Sequence, residues 1–255
     1  MRTAVAGGTG LVGRLVVEAA RERGHEVVVL ARSEGVDLTT GAGLADRLTG
    51  VDAVVDVTNR GTQKRSEAEA FFGSVTRALL AAGSEAGVGH HVALSIVGID
   101  DVDTGYYAGK RLQERLLAEQ GTRQPPVPWS VLRATQFHEF ALQVLHFATV
   151  GRFSLVPRML SQPVAAREVA QALVARAEAG PVGRAPDLAG PEVHQVVDLA
   201  RRVSRARDLG RRVVPVRVPG RAGRAMRSGA LTPTGAGPRG RVTFDEWLAG
   251  LSGGR

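Results

Sequence analysis

Tyr106 and Lys110, four residues apart in GYYAGK, carry the most specific chemistry in the chain. On a helix that spacing puts both side chains on one face, one turn apart. A phenol beside an ammonium can act as a general acid: the cation lowers the phenol's pKa, and the phenol delivers its proton to a carbonyl oxygen. Composition sharpens this reading. The chain has two tyrosines, Tyr106 and Tyr107, and two lysines, Lys64 and Lys110, against 31 arginines. A position needing only positive charge is filled here by arginine, so Lys110 reads as chosen for a compact, flexible donor. The plainer reading, a surface lysine beside a core tyrosine, is the weaker one. Ser95 ends the strand-like run just before this motif.

A second motif precedes it in RTAVAGGTGLVGR, where Gly7, Gly10 and Gly13 are spaced G-x-x-G-x-x-G. Glycines at that spacing, between an apolar run and an amphipathic stretch, make a turn on which a pyrophosphate can lie against backbone N–H groups at a helix start. Thr9, Leu11 and Val12 complete the expected cradle. Arg32 follows Gly13 by nineteen residues, at the end of HEVVVLARSEG, with Ser33 beside it. In a dinucleotide fold that position faces the adenosine ribose, where an arginine suits a 2′-phosphate and an acid suits a free hydroxyl. NADP(H) is therefore expected over NAD(H), with Arg14 as an alternative partner for the phosphate. Asn59, in DVTNRG, either contacts the cofactor or makes the turn.

These residues need elements to position them. Apolar runs predict strands at 3–6, 25–31, 36–38, 53–58, 91–95 and 129–133, alternating with helices at 12–22, 43–48, 66–86, 106–119 and 137–148. That alternation predicts an α/β, doubly wound parallel sheet of Rossmann type with helices on both faces. Ser66 is expected to cap its helix, and the proline-rich 124–128 must be a loop. Beyond Val156 the pattern shortens: a strand entering a helix that ends at Gly180, a helix near 191–206, a strand at 213–218, a loop or short helix within 219–240, and a terminal helix capped by Thr243. The expected division is a dinucleotide-binding core at 1–155 and a substrate-binding, capping segment at 156–255, packed as one unit. The loop after the last core strand supplies the expected substrate contacts: Phe137 and Phe140 as an apolar wall, Gln136 or His138 as a polar anchor. A histidine satisfied at a helix start is an equal reading of His138.

At 255 residues the chain can bury a full core, largely aliphatic because aromatics are 4%. Without cysteine it has no thiol or disulfide chemistry. No leader and no membrane-length apolar run is visible, so a soluble, cytoplasmic protein is expected. The formal charge of +8 is regional: residues 201–241 hold twelve arginines and one acid. Aromatics that would stack bases are missing there, so a solvated arginine surface is expected rather than a nucleic-acid partner. No His, Asp and Glu cluster has metal-ligand spacing.

Together AGGTGLVG, the strand ending Ala31-Arg32, VTN, LSIVG, GYYAGK, PWSVLRATQFHEF, QPVAAREVA, DLAGPEV and the TFDEWL tail resemble a short-chain dehydrogenase/reductase of the atypical, NmrA-like branch. The resemblance spans nearly the whole chain. It implies Ser95, Tyr106 and Lys110 as a catalytic triad: Tyr106 donating the proton, Lys110 holding the nicotinamide ribose, and Ser95 binding the carbonyl. The implied activity is NADPH-dependent reduction of a small, partly apolar carbonyl or quinone-like molecule by a monomer or homodimer. The alternative is an NADP(H)-binding redox sensor that does not turn over.

Overall fold

The structure is a computed structural model that describes residues 1–120 and 125–252. The strands in chain order are β1 (Arg2–Ala6), β2 (Glu26–Leu30), β3 (Ala53–Asp56), β4 (His90–Ile96), β5 (Trp129–Ala134), β6 (Thr149–Val150), β7 (Phe153–Pro157), β8 (Leu160–Ser161), β9 (Gly183–Arg184), β10 (His194–Gln195) and β11 (Arg212–Val216). The helices are α1 (Leu11–Glu22), α2 (Leu44–Leu48), α3 (Arg65–Ala86), α4 (Gly105–Glu119), α5 (Phe140–Phe147), α6 (Ala166–Glu178), α7 (Val196–Ala206), α8 (Gly220–Ser228) and α9 (Phe244–Ser252).

The chain forms two compact units. The first comprises Met1–Ser95, Thr104–Arg133 and Arg167–Ala185; the second comprises Ile96–Asp103, Ala134–Ala166 and Pro186–Arg255. A six-stranded parallel sheet in the order β2-β1-β3-β4-β5-β9 defines the Rossmann-type architecture. Its order reverses between β1 and β3, the switch point at which such sheets open a ligand crevice. Ala4, Ala6, Leu30 and Val54 on the strands pack with Val75 and Leu79 of α3 and Leu117 of α4 into the first unit's core.

In the second unit β11, β7 and β6 form a small sheet, β10 pairs with β8, and α5, α7 and α9 lie in the same unit. Phe244, Leu145, Val156 and Leu231 are buried there. Within 219–240 the short helix is what forms, as α8. The terminal helix begins with the expected cap: Thr243 Oγ1 accepts from Glu246 N at 3.2 Å, while the Glu246 carboxylate accepts from Thr243 N at 2.7 Å.

Three local expectations are corrected. Residues 36–38 form no strand, because Asp37 turns the chain: its carboxylate accepts from Thr39 N at 2.8 Å and Thr39 Oγ1 at 2.6 Å, leaving a single bridge to Ala42. Ser66 is not a cap but lies inside α3, which starts at Arg65 with Lys64 before it. The helix has no side-chain cap; before it, Thr62 Oγ1 accepts from Lys64 N at 3.2 Å and donates to Glu67 at 2.8 Å. The helix expected from Phe137 begins at Phe140, because Phe137 bridges to Val164 and His138 N donates to Val164 O at 3.1 Å. Of the expected loop, Pro125–Pro128 carries no regular element and Gln124 lies outside the described residues.

Candidate active site

The turn after β1 is shaped by glycine. Gly7 has φ +81°, and a Cβ there would lie 3.1 Å from Thr58 Cα, beyond the end of β3. Gly13 allows α1 to sit down on the turn: its Cβ would lie 2.0 Å from Gly7 O. The first turn of α1 has Gly10 at its N-cap, no side-chain cap and no acidic residue. Its N–H groups and dipole therefore face the switch point uncompensated, which suits a pyrophosphate. Thr9 and Leu11 are exposed and Val12 is half-buried on this turn. Arg14 is fastened to it, donating to Thr9 O at 3.1 Å. Past β2, Arg32 and Ser33 are exposed in a short 3-10 turn that also contains Glu34.

The second cluster lies on and around α4. Thr104 caps the helix, accepting from Tyr107 N at 3.4 Å. Gly109 lets α4 pack directly on α3, since a Cβ there would meet Phe72 Cδ2 at 2.6 Å. Phe72 consequently sits against both residues of the motif: its ring is 5.7 Å, edge-on, from that of Tyr106, and Lys110 Nζ lies 4.7 Å from its centroid. Tyr106 donates its hydroxyl proton to Asn59 Oδ1 at 2.8 Å. Lys110 donates to Gln113 Oε1. Gln113 Nε2 donates to Asp56 Oδ2 at 2.8 Å.

Electrostatics correct one expectation. Burial, reinforced by Tyr107, pushes the Tyr106 phenol up rather than down, and the Lys110 ammonium donates to Gln113. Burial also lowers Lys110 to about 8, against the pull of Asp56 and Glu114. His91, 3.8 Å from Asp56, is likewise lowered by burial. Ser95 Oγ is buried and has no hydrogen-bond partner among the described residues. The register Asp56↔Ala93 places Ser95 at the same sheet end as Thr58 and Asn59. A buried hydroxyl left unpaired is costly, and such groups commonly await a substrate or cofactor atom.

Tyr106, Lys110, Ser95, Asn59 and the glycine turn thus all belong to the first unit. Gln136, Phe137, His138 and Phe140 belong to the second. There Gln136 Oε1 accepts from Ser161 Oγ at 3.0 Å, while its Nε2 is buried without a partner among the described residues. His138 is a buried ring beside Phe244 and Trp247, with Nε2 at 3.1 Å from Val242 O. Phe140 meets Phe147 edge-on at 6.0 Å. Sequence reasoning missed Asp56 and Gln113. An acid closing the apolar strand AVVD was the available signal, because a buried carboxylate demands partners.

A glycine-shaped switch point in a six-stranded parallel sheet marks a dinucleotide-binding α/β protein. Residues 7–179 match the family described as NAD(P)H-binding, and the chain belongs to that family. It is 33% identical over 225 residues, 81% of this chain and 73% of the relative, to (4-alkanoyl-5-oxo-2,5-dihydrofuran-3-yl)methyl phosphate reductase of Streptomyces griseus. Among solved structures it is similar to MoeE5 in complex with UDP-glucuronic acid and NAD (TM-score 0.74, 19% identity, 98% of this chain and 97% of that one). It is also similar to a short-chain dehydrogenase/reductase superfamily protein from Agrobacterium tumefaciens with bound NAD (TM-score 0.70, 20% identity, 99% and 96%). At such identities the likeness speaks for the fold. The glycine turn and uncapped α1 fit a nicotinamide dinucleotide, and the reductase relative supports an oxidoreductase. No helix among the described residues is long and apolar enough to cross a membrane.

Proposed function

We propose that the protein is an NADPH-dependent reductase of a small, partly apolar carbonyl or quinone-like molecule. The observation that carries the reading is Ser95 Oγ, buried and unpartnered among the described residues at the sheet end shared with the Asn59–Tyr106 pair. When bound, the reduced nicotinamide supplies the hydride. Ser95 donates a hydrogen bond to the acceptor's carbonyl oxygen, and Tyr106 gives that oxygen its proton. Asn59 holds the phenol in place beforehand, and Lys110 provides the positive charge that stabilises the phenolate as the proton leaves. A half-buried phenol pushed up by burial stays protonated at neutral pH, which keeps its proton available.

Arg32 supports the preference for NADPH: it is exposed just past β2, where a 2′-phosphate would lie. The reductase relative supports a small carbonyl-bearing substrate, since its named substrate is the methyl phosphate of an oxo-dihydrofuran bearing an alkanoyl group.

The test is a titration with NADPH and NADH, followed by nicotinamide absorbance in the presence of quinones, ketones and aldehydes. Tighter binding of NADPH and its oxidation by one of these classes is the expected result. Tight binding with no oxidation across the panel replaces this reading with that of a redox-sensing, NADP(H)-binding protein.

A further inference from the structure

Lys110 is only 3% exposed, so its ammonium must find inside the protein the acceptors that water would have supplied. One acceptor is Gln113 Oε1, one helical turn along α4. The amide's other end donates from Nε2 to Asp56 Oδ2 at 2.8 Å, and both Gln113 and Asp56 are 0% exposed. An amide has one accepting and one donating end. Turned over, it would aim N–H groups at the ammonium and a carbonyl at the carboxylate, so its orientation is unique. Asp56 is itself fixed, because Oδ1 accepts from Thr58 N at 2.9 Å and Thr58 Oγ1 at 2.7 Å. A rigid series of groups therefore runs from the end of β3, through a neutral amide, to the lysine.

We propose that Asp56 and Gln113 are positioning residues for Lys110: Asp56 orients the Gln113 amide, and the amide holds the ammonium beneath the face of α4 that carries Tyr106. The neutral spacer matters physically. A direct Lys–Asp pair would draw the ammonium down onto the end of β3. With the amide between them, the carboxylate still favours the charged lysine while Nζ keeps two further N–H donors for oxygens above it. The consequence for turnover rests on the reductase reading; the hydrogen-bonded arrangement does not.

The charged and titratable groups around Nζ come from several elements. Asp56 lies on β3, His91 on β4, and Tyr106 and Glu114 on α4, with Glu114 paired to Arg133 of β5 at 2.6 Å. The neighbouring part of α3 presents the Phe72 ring. Burial lowers Lys110, while Asp56 opposes that effect. Weakening the link to Asp56 must therefore lower the lysine's titration midpoint, and a carboxylate in place of the amide must raise it.

Because the chain has only two lysines, protein labelled with 13C at lysine Cε gives two signals, and Lys110→Arg identifies the one from Lys110. Its midpoint is expected near 8 in the parent protein. Asp56→Asn and Gln113→Met should each lower it by about one pH unit, and the near-isosteric Gln113→Glu should raise it by a similar amount. Opposite movements from changes at a single position distinguish positioning from general damage to the fold. Unmoved midpoints in folded Asp56→Asn and Gln113→Met overturn the proposal. Should those two fail to fold, a midpoint in Gln113→Glu at or below the parent's overturns it. The readout needs no electron acceptor, so it remains decisive even if the protein proves not to be a reductase. Where turnover exists, its alkaline limb should follow the same three shifts.

Discussion

At the turn after β1 the candidate functional groups are backbone N–H donors, and side chains matter there chiefly by being absent. Beneath α4 every candidate functional group is a side chain, brought from β3, from the segment after it, from β4 and from α4 itself. The first region is written in thirteen consecutive residues, 2–14. The second exists only once Asp56 and Asn59 are folded against a helix some fifty residues later, with hydrogen-bond separations of 57 and 47 in sequence. A backbone site tolerates little change in side-chain size. A site made of side chains tolerates size but not altered charge or donor order.

The largest effect that would sharpen this contrast is expected from Gly13→Ala. Its new methyl would stand 2.0 Å from Gly7 O, so α1 must lift from the turn. We expect a loss of about 3 kcal/mol in denaturant unfolding and about 100-fold weaker dinucleotide binding. An unchanged affinity would break the idea that backbone approach makes that site.

Beneath α4 the expected signature is pH dependence. Lys110 has a folded-state pKa of about 8 against 10.5 unfolded. Between those values the unfolded chain binds a proton that the folded chain does not, so stability rises with pH across that window, by ~3 kcal/mol at most. Lys110→Met should remove this rise, as read from unfolding midpoints at pH 7.5 to 10.5. Arg32→Ala, at the rim of the backbone site, should lower the preference for NADPH over NADH about 10-fold, measured as a ratio of dissociation constants. The smallest effect belongs to the second unit: Thr243→Ala should cost about 1 kcal/mol through loss of the α9 cap and leave dinucleotide affinity unchanged.

What the sequence revealed follows the same division. Apart from the expected strand at 36–38 and the unexpected two-residue β9, the strands and helices of the first unit were legible within about two residues, because apolar periodicity and the glycine motif are local signals. Tyr106 and Lys110 were legible because the chain is so sparing with tyrosine and lysine. Their partners were not. Asn59 read equally as a turn residue, and Gln113 as one more polar residue on an amphipathic helix. Asp37 defeated a strand expectation, because its carboxylate satisfies Thr39 more cheaply than a sheet edge would satisfy the backbone. The direction of the Tyr106 shift also could not be read in advance. It is set first by burial of the phenol, which a fold alone determines, while the ammonium donates to Gln113, an acceptor anchored by a residue far away in sequence.

The most direct test of the central claim is the rate of NADPH oxidation in the presence of an active carbonyl or quinone acceptor, compared between the parent protein and Tyr106→Phe. If Tyr106 is the proton donor, the variant should bind NADPH as the parent does and lose roughly 100- to 10,000-fold in turnover. A folded Tyr106→Phe protein that oxidises NADPH at the parent's rate would contradict the account.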